Sequence, residues 1–218
     1  MTVFADFGST WSKILDKSVK ITRTKEISRD IIADIACGHN AKKRSRICVN
    51  ELIALSEGGL RLISEKDFIL VDVGSRDIKY VVYKDDRFLQ TGWNQECGAS
   101  QGFAIELLEM YYGFDCNDLK PPEDGSPVTC GLIGISKIFD EIIKTGDERK
   151  AVARFVKGIA MNVYYFTGKP RKIYLSGGLC GNRLFIESLP CETIPLGRLV
   201  LIEGLKSIYE KTEKKGEG

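Results

Sequence analysis

The sequence predicts an α/β protein of two lobes built on a duplicated core, and three observations carry that prediction. The segments Asp6-Phe-Gly-Ser-Thr-Trp-Ser-Lys13 and Asp72-Val-Gly-Ser-Arg-Asp-Ile-Lys79 are variants of one another. Each ends an apolar β-prone run with an aspartate, then places a glycine two residues on, a small hydroxyl residue next, and a lysine seven residues after the aspartate. Each is followed by a return strand and then a third short strand. Helical periodicity, by contrast, is confined to the stretches between and after these strand groups. A strand, a tight turn and an antiparallel return strand hold backbone N–H groups and hydroxyls around a phosphate, with the aspartate set to hold Mg²⁺ through water. One such turn is an ordinary hairpin. Two in matching context predict a duplicated fold that grips one nucleotide from both sides.

The elements follow in order. Residues 2–7, 13–16 and 19–24 read as a three-strand meander carrying the first turn. Residues 27–36 place Ile27, Ile31, Ile32 and Ile35 at helical spacing and predict a helix. Cys37-Gly-His-Asn40 breaks it, and the basic run Lys42 to Arg46 is expected as a solvated loop. Asn50 to Ile63 is a second helix, interrupted at Gly58-Gly59.

Strands at 68–73, 78–84 and 87–93 repeat the three-strand opening, with Lys84-Asp-Asp-Arg87 as a turn. Helices are expected at about 101–112, 132–144 and 148–166, the last two with apolar stripes such as Val152, Phe155, Val156, Ile159 and Val163. A buried strand at 172–176 ends in Gly177-Gly178, a helix starts near Asn182, and the last helix runs from about 197 to 211 before a polar tail expected to fray. The first lobe is thus expected at 1–66 and the second at 67–202. The C-terminal helix, about 203–218, is expected to pack back on the first.

Composition bounds the function. The 218 residues allow a substantial core, and 43% hydrophobic with 28% charged residues is ordinary for a globular protein. A net charge of +2 from 32 basic and 30 acidic residues argues against nucleic acid or a membrane surface as partner. No apolar run approaches the ~20 residues of a membrane span, and no signal pattern opens the chain, so a cytoplasmic protein is expected. Cys37, Cys48, Cys97, Cys116, Cys130, Cys180 and Cys191 are odd in number and include no C-x-x-C, which excludes a disulfide framework and a zinc ribbon. The lone His39 excludes a Ser–His–Asp arrangement arguable from sequence and is expected in an exposed turn.

The order D-x-G-S-T-x-x-K, D-x-G-x-x-D-x-K, then a glycine pair after a strand, then a helix resembles the acetate and sugar kinase/heat-shock chaperone/actin superfamily. Within it, the chain is similar to the activator ATPases of 2-hydroxyacyl-CoA dehydratases and their benzoyl-CoA reductase relatives. Four further stretches carry that resemblance: Trp93-Asn-Gln-Glu-Cys-Gly-Ala-Ser100, Thr129-Cys-Gly-Leu-Ile-Gly-Ile-Ser136, Leu175-Ser-Gly-Gly-Leu-Cys-Gly-Asn182 and Gly197-Arg-Leu-Val-Leu-Ile-Glu-Gly204. The resemblance implies a two-lobed duplicated ribonuclease H-like (actin-like ATPase) fold with mixed sheets, its first lobe shortened. Arg76 stands where the family usually has glutamine, and Ile135 where it has glutamate.

The resemblance also assigns roles. Asp6 and Asp72 stand near Mg²⁺, while Gly8, Ser9, Thr10, Lys13, Gly74 and Ser75 surround the phosphates of ATP or ADP. Asp77 or Arg76 positions the attacking water, and Gly177, Gly178 and Asn182 border the adenosine. Lys13 and Lys79 have the alternative of being solvated strand lysines.

Cys97 and Cys130 become the candidate ligands of a [4Fe–4S] cluster. Four thiolates are needed, so two cysteines from each of two identical chains imply one cluster per homodimer. Each precedes a predicted helix, whose N-terminal N–H groups would lower a thiolate pKa; two unrelated buried thiols remain the other reading. A ferredoxin or flavodoxin donor and an iron–sulfur acceptor enzyme, a dehydratase or reductase, complete the expectation. A small-molecule kinase on the same scaffold, or an actin-like regulatory protein without a cluster, are the rival functions.

Overall fold

The computed structural model of the chain describes residues 2–95, 101–128 and 131–216. Among the described residues, ten strands form two five-stranded sheets. In the first, β1 (Phe4–Phe7), β2 (Trp11–Leu15), β3 (Val19–Arg23), β4 (Ala33–Cys37) and β5 (Ser45–Cys48) lie in the order β3-β2-β1-β4-β5. In the second, β6 (Phe68–Val73), β7 (Ile78–Lys84), β8 (Arg87–Asn94), β9 (Lys172–Gly177) and β10 (Glu192–Gly197) lie in the order β8-β7-β6-β9-β10. Counting each from its first strand, the two orders are the same, so the duplication inferred from two turns extends to whole sheets. The first sheet is mixed: β1 pairs antiparallel with β2 and parallel with β4.

The chain divides into two units, one of residues 1–70, 81–91 and 196–218, the other of residues 71–80 and 92–195. In the first unit, strand alternation puts Ala5, Phe7 and Ile14 on one face of the sheet, where they pack with Ile27, Ala33, Ala36 and Ala41. Phe4, Asp6 and Lys13 point to the other face. There α6 (Val200–Gly216) meets β1 and β4, with Tyr209 edge-on to Phe4 at 5.8 Å between ring centroids.

α1 (Glu51–Leu62) packs on α6 as well. Asn50 caps α1, its side chain accepting the Leu52 N–H at 2.8 Å. Backbones touch where the helices meet: a Cβ on Gly204 would lie 1.8 Å from the Ala54 carbonyl oxygen, and one on Gly58 2.2 Å from that of Val200. The second unit is built on α4 (Glu148–Phe166), whose Val152, Phe155, Val156, Ile159 and Val163 are fully buried, as the apolar stripe predicts. α2 (Gln101–Tyr112), α3 (Gly131–Thr145) and α5 (Arg183–Ser188) pack against it.

Four expectations are corrected. Residues 27–36 are not a helix. A short 3-10 turn, Thr24–Glu26, precedes an irregular stretch that ends in β4. Ala33, Ala36 and Cys37 are buried from both sides in a central strand, which erases the period-two signal and leaves a chance isoleucine spacing to imitate a helix. The basic run is not a loop throughout: a 3-10 turn at Ala41–Lys43 leads into β5, an edge strand whose outward side chains tolerate charge.

Gly58-Gly59 do not interrupt α1, because Gly58 is the contact through which α6 approaches. Finally, β10 occupies residues where no strand was expected, with Pro195 tolerated because this strand lies at a sheet edge, and α6 starts at Val200 and runs on into the polar tail.

Two outcomes follow from the α1–α6 seam. Gly204→Ala is expected to cost about 3 kcal/mol or more of unfolding free energy in urea titrations, since backbone and not a side chain blocks the added methyl. Gly181→Ala, with open space around it, should change stability by under about 0.5 kcal/mol.

Burial penalises the Glu57 carboxylate, but the Lys211 ammonium at 2.5 Å and the Ser207 hydroxyl at 2.8 Å outweigh it and hold its pKa below the usual carboxylate range. A depressed folded-state pKa stabilises the fold above the unfolded-state value and loses that contribution as pH falls through the lower one. Glu57→Gln should therefore cost up to about 1 kcal/mol near neutrality. In urea midpoints the gap to the parent should close as the pH falls below the ordinary carboxylate range and Glu57 takes up its proton in the folded state.

Candidate functional site

In the first unit, β1 delivers Asp6 to the interior, 2% exposed, and the β1–β2 register sets Lys13 directly opposite it. Lys13 Nζ lies 2.5 Å from Asp6 Oδ2, an ion pair held inside a sheet and not a solvated lysine. The turn between the strands, Gly8-Ser-Thr10, is pinned from outside. The Thr24 hydroxyl donates to the Gly8 carbonyl at 2.9 Å, the Asn40 amide donates to the same oxygen at 3.1 Å, and the Thr24 N–H donates to the Thr10 carbonyl at 2.8 Å. None of these partners is near the turn in sequence, so no local signal could have found them. The residue after the turn, Trp11, has guanidinium groups over its ring from Arg23 at 4.1 Å and Arg198 at 5.1 Å.

The equivalent turn of the second unit is built differently. Asp72, Asp77 and Lys79 are all buried, while Arg76 is exposed. The Gly74 N–H donates to the Asp77 carbonyl at 3.0 Å and closes the turn. Asp77 has both carboxylate oxygens engaged: Lys79 Nζ donates to Oδ1 at 2.9 Å and Trp93 Nε1 to Oδ2 at 2.8 Å. Lys79 is thus a buried charge partner here too, and not a solvated lysine. Trp93 opens one of the motif segments, but a tryptophan sixteen residues beyond an aspartate carries no sequence signal for this contact.

The glycine pair of the second unit and the Gly38 turn of the first are counterparts. Gly177 adopts φ +89° at the end of β9, and a Cβ there would lie 2.4 Å from the Val73 carbonyl oxygen. Gly38 adopts φ +99° just past β4, and its Cβ would lie 2.5 Å from the Phe7 carbonyl oxygen. Each therefore packs on the backbone one residue beyond the strand-end aspartate, at a left-handed angle that only glycine takes cheaply. This brings Gly177 and Gly178 next to the Asp72 turn within one unit. Asn182 is buried and caps α5, its side chain accepting the Phe185 N–H at 2.8 Å. His39 sits in an exposed turn as expected, with Nδ1 at 3.6 Å from Oε1 of the buried Glu51.

Cys97 and Cys130 lie outside the described residues. The segments leading to them do not: Asn94 and Val128 line one half-open cleft of about 630 Å³ in the second unit, together with Ile78, Ser126, Asn162 and Tyr165. Among the described cysteines, burial pushes the Cys116 thiol far up, helped by the Glu109 carboxylate, and raises that of Cys191 against an opposing hydrogen bond from Thr193. Cys48 is exposed on β5.

Lys13→Met removes one partner of a buried pair and should cost about 3–5 kcal/mol of unfolding free energy. In the double variant Asp6→Asn/Lys13→Met, most of that loss should be recovered, as a double-mutant cycle in urea would report.

No family model matches the chain, and no curated protein is recognisably similar to it in sequence. Solved structures are. The activator of the 2-hydroxyisocaproyl-CoA dehydratase from Clostridium difficile, with bound ADPNP, superposes with a TM-score of 0.76 at 19% identity over 100% of this chain and 97% of that one. Component A of the (R)-2-hydroxyglutaryl-CoA dehydratase from Acidaminococcus fermentans gives 0.67 at 16% over 94% and 95%. The ethanolamine utilization protein EutJ from Carboxydothermus hydrogenoformans gives 0.54 at 12% over 95% and 89%. At such identities the likeness is one of architecture: the chain has the actin-like ATPase fold, in the form that these dehydratase activators take.

Proposed function

We propose that the chain is an ATP-dependent reductive activator. It binds and hydrolyses ATP and passes a low-potential electron to a partner iron–sulfur enzyme of the dehydratase or reductase type. The observation that carries this reading is the repeated turn, Asp6–Lys13 and Asp72–Lys79, on sheets of repeated strand order. The chain's fold matches, over its whole length, that of an activator holding ADPNP.

In this reading Asp6 and Asp72 hold Mg²⁺ through water, and Gly8, Ser9, Thr10, Lys13, Gly74 and Ser75 surround the phosphates. Gly177, Gly178 and Asn182 border the adenosine, the glycines because no side chain intervenes there. The engaged carboxylate of Asp77 supports Arg76, exposed beside it, as the residue that orients the attacking water. The water oxygen bonds to the γ-phosphorus and gives up a proton to a γ-phosphate oxygen, as the bond to the β–γ bridging oxygen breaks and ADP leaves with that electron pair. The nucleotide biases the conformation only through a difference in its affinity for two states.

Cys97 and Cys130 are the proposed ligands of one [4Fe–4S] cluster per homodimer. Supporting this choice, Cys116 and Cys191 have raised thiol pKa values that disfavour thiolates, and Asn94 and Val128, each a few residues before one of the two candidates, line one cleft. When bound, such a cluster supplies a low-potential one-electron reservoir. The electron source is a ferredoxin or flavodoxin, and the setting is the cytoplasm. No described helix is long and apolar enough to cross a membrane.

Anaerobic purification tests the reading. The expected product is a brown dimer with about four iron and four sulfide per pair of chains. Cys97→Ser and Cys130→Ser should each lose the iron, while affinity for MgADP changes by less than about threefold, or 0.7 kcal/mol. An iron-free, colourless nucleotide-binding monomer would place the chain with the kinases or the cluster-free regulatory proteins instead.

A further inference from the structure

Trp11 is the first residue of β2, and Arg23, the last of β3, lies directly opposite it in the strand register. The pair stands at the turn end of the first sheet. It shares a face with Asp6 and Lys13, because residues two apart on a strand, and residues paired across strands, point the same way. Arg198 reaches the same ring from far along the chain. Gly197 closes β10 at φ +85°, Arg198 follows it, and α6 begins at Val200. The guanidinium carbons of Arg23 and Arg198 lie 4.1 Å and 5.1 Å from the Trp11 ring centroid.

Stacking on an indole accounts for where the Arg198 guanidinium sits, but not for its hydrogen-bonding groups. Its Nε is buried without a partner, and among the described residues no carboxylate or carbonyl accepts from the rest of the group. Arg154 offers the contrast. It too has a buried Nε without a partner, but its terminal nitrogens meet Glu141 at 2.7 Å and Asp124 at 2.8 Å. A guanidinium partly stripped of water and given no acceptor is costly.

The surroundings of Arg198 add to that cost. A second guanidinium, that of Arg23, lies on the same ring, and the nearby N-terminus of α6 carries partial positive charge. Glu203, the acidic residue in the first turn of α6, is engaged by Arg61 at 3.1 Å and Lys206 at 2.9 Å. Lys13, the cation expected to meet a phosphate, has its charge balanced by Asp6. Positive charge is therefore left over beside the turn at Arg198, one residue beyond Thr10, where no anion of the first unit meets it.

We propose that Arg198 completes the phosphate site of the first turn. Its guanidinium takes the terminal phosphate of a nucleoside triphosphate held by Gly8, Ser9 and Thr10, and Trp11 is the plate that orients it. A planar fork of N–H donors suits a phosphate. The terminal phosphate is assigned because it brings the charge by which a triphosphate exceeds a diphosphate, and the lysine of the turn is already neutralised. This inference rests on the reading that residues 8–10 bind a nucleotide phosphate.

The test is calorimetric titration of the full chain, as purified, with magnesium ADPNP and with MgADP. Arg198→Met should weaken magnesium ADPNP about tenfold or more, and MgADP less than about threefold. Arg198→Lys, which keeps the charge and loses the fork, should fall between the parent and Arg198→Met. An equal change for both nucleotides is what a purely structural arginine on Trp11 would give. It would overturn the proposal and leave nucleotide binding by the turn intact.

Should the variants fail to fold, phenylglyoxal labelling of the wild type, read by peptide mass, takes their place. Magnesium ADPNP should slow modification of Arg198, and MgADP should not; equal rates with the two would overturn the proposal. A wild type that binds neither nucleotide removes the underlying reading, and the proposal with it.

Discussion

In each half a buried carboxylate lies against a buried lysine, Asp6 against Lys13 and Asp77 against Lys79, and the strands around them depend on that contact. Asp6 on β1 faces Lys13 across one register step, with the ammonium and carboxylate in contact inside the sheet. The cost of desolvating both charges is offset only by close geometry, so the register of β1 on β2 is set by electrostatics as well as by the apolar alternation of Ala5, Phe7 and Ile14. A slip of one residue would turn Asp6 into the apolar layer and leave Lys13 unmatched.

The second half keeps the sheet and adds a bond. There Lys79 donates to one oxygen of Asp77, and Trp93 takes the other. The two halves are alike in strand order and in the glycine that packs on the aspartate strand. Each turn is held by groups distant in sequence: the first by Thr24 and Asn40, the second by the start of α2. The same economy appears at the α1–α6 seam, where Gly58 and Gly204 let helix backbones touch.

Fold and function stand on different supports. The likeness to dehydratase activators is a likeness of chain path, since fewer than one residue in five is shared with the Clostridium difficile protein. What recommends the activator reading over a kinase is the match of chain path to an activator over the whole length, together with Asn94 and Val128, which line one cleft of the second unit. The thiols of Cys116 and Cys191, raised by burial, belong to the packing.

The sequence by itself determined the duplication, the position of both turns, the apolar stripe of α4 and the places of seven of the ten described strands. These are local patterns, and short-range periodicity and turn chemistry suffice to write them. Only the tertiary structure decided that residues 27–36 end in a central strand, because burial from both sides removes the alternation by which strands are read. Only it decided that Gly38 is the partner in kind of Gly177, that Thr24 and Asn40 hold the first turn, and that Trp93 and Lys79 share Asp77. Those groups are brought together by sheet register and helix packing, and contacts made across such distances along the chain leave no mark in local composition.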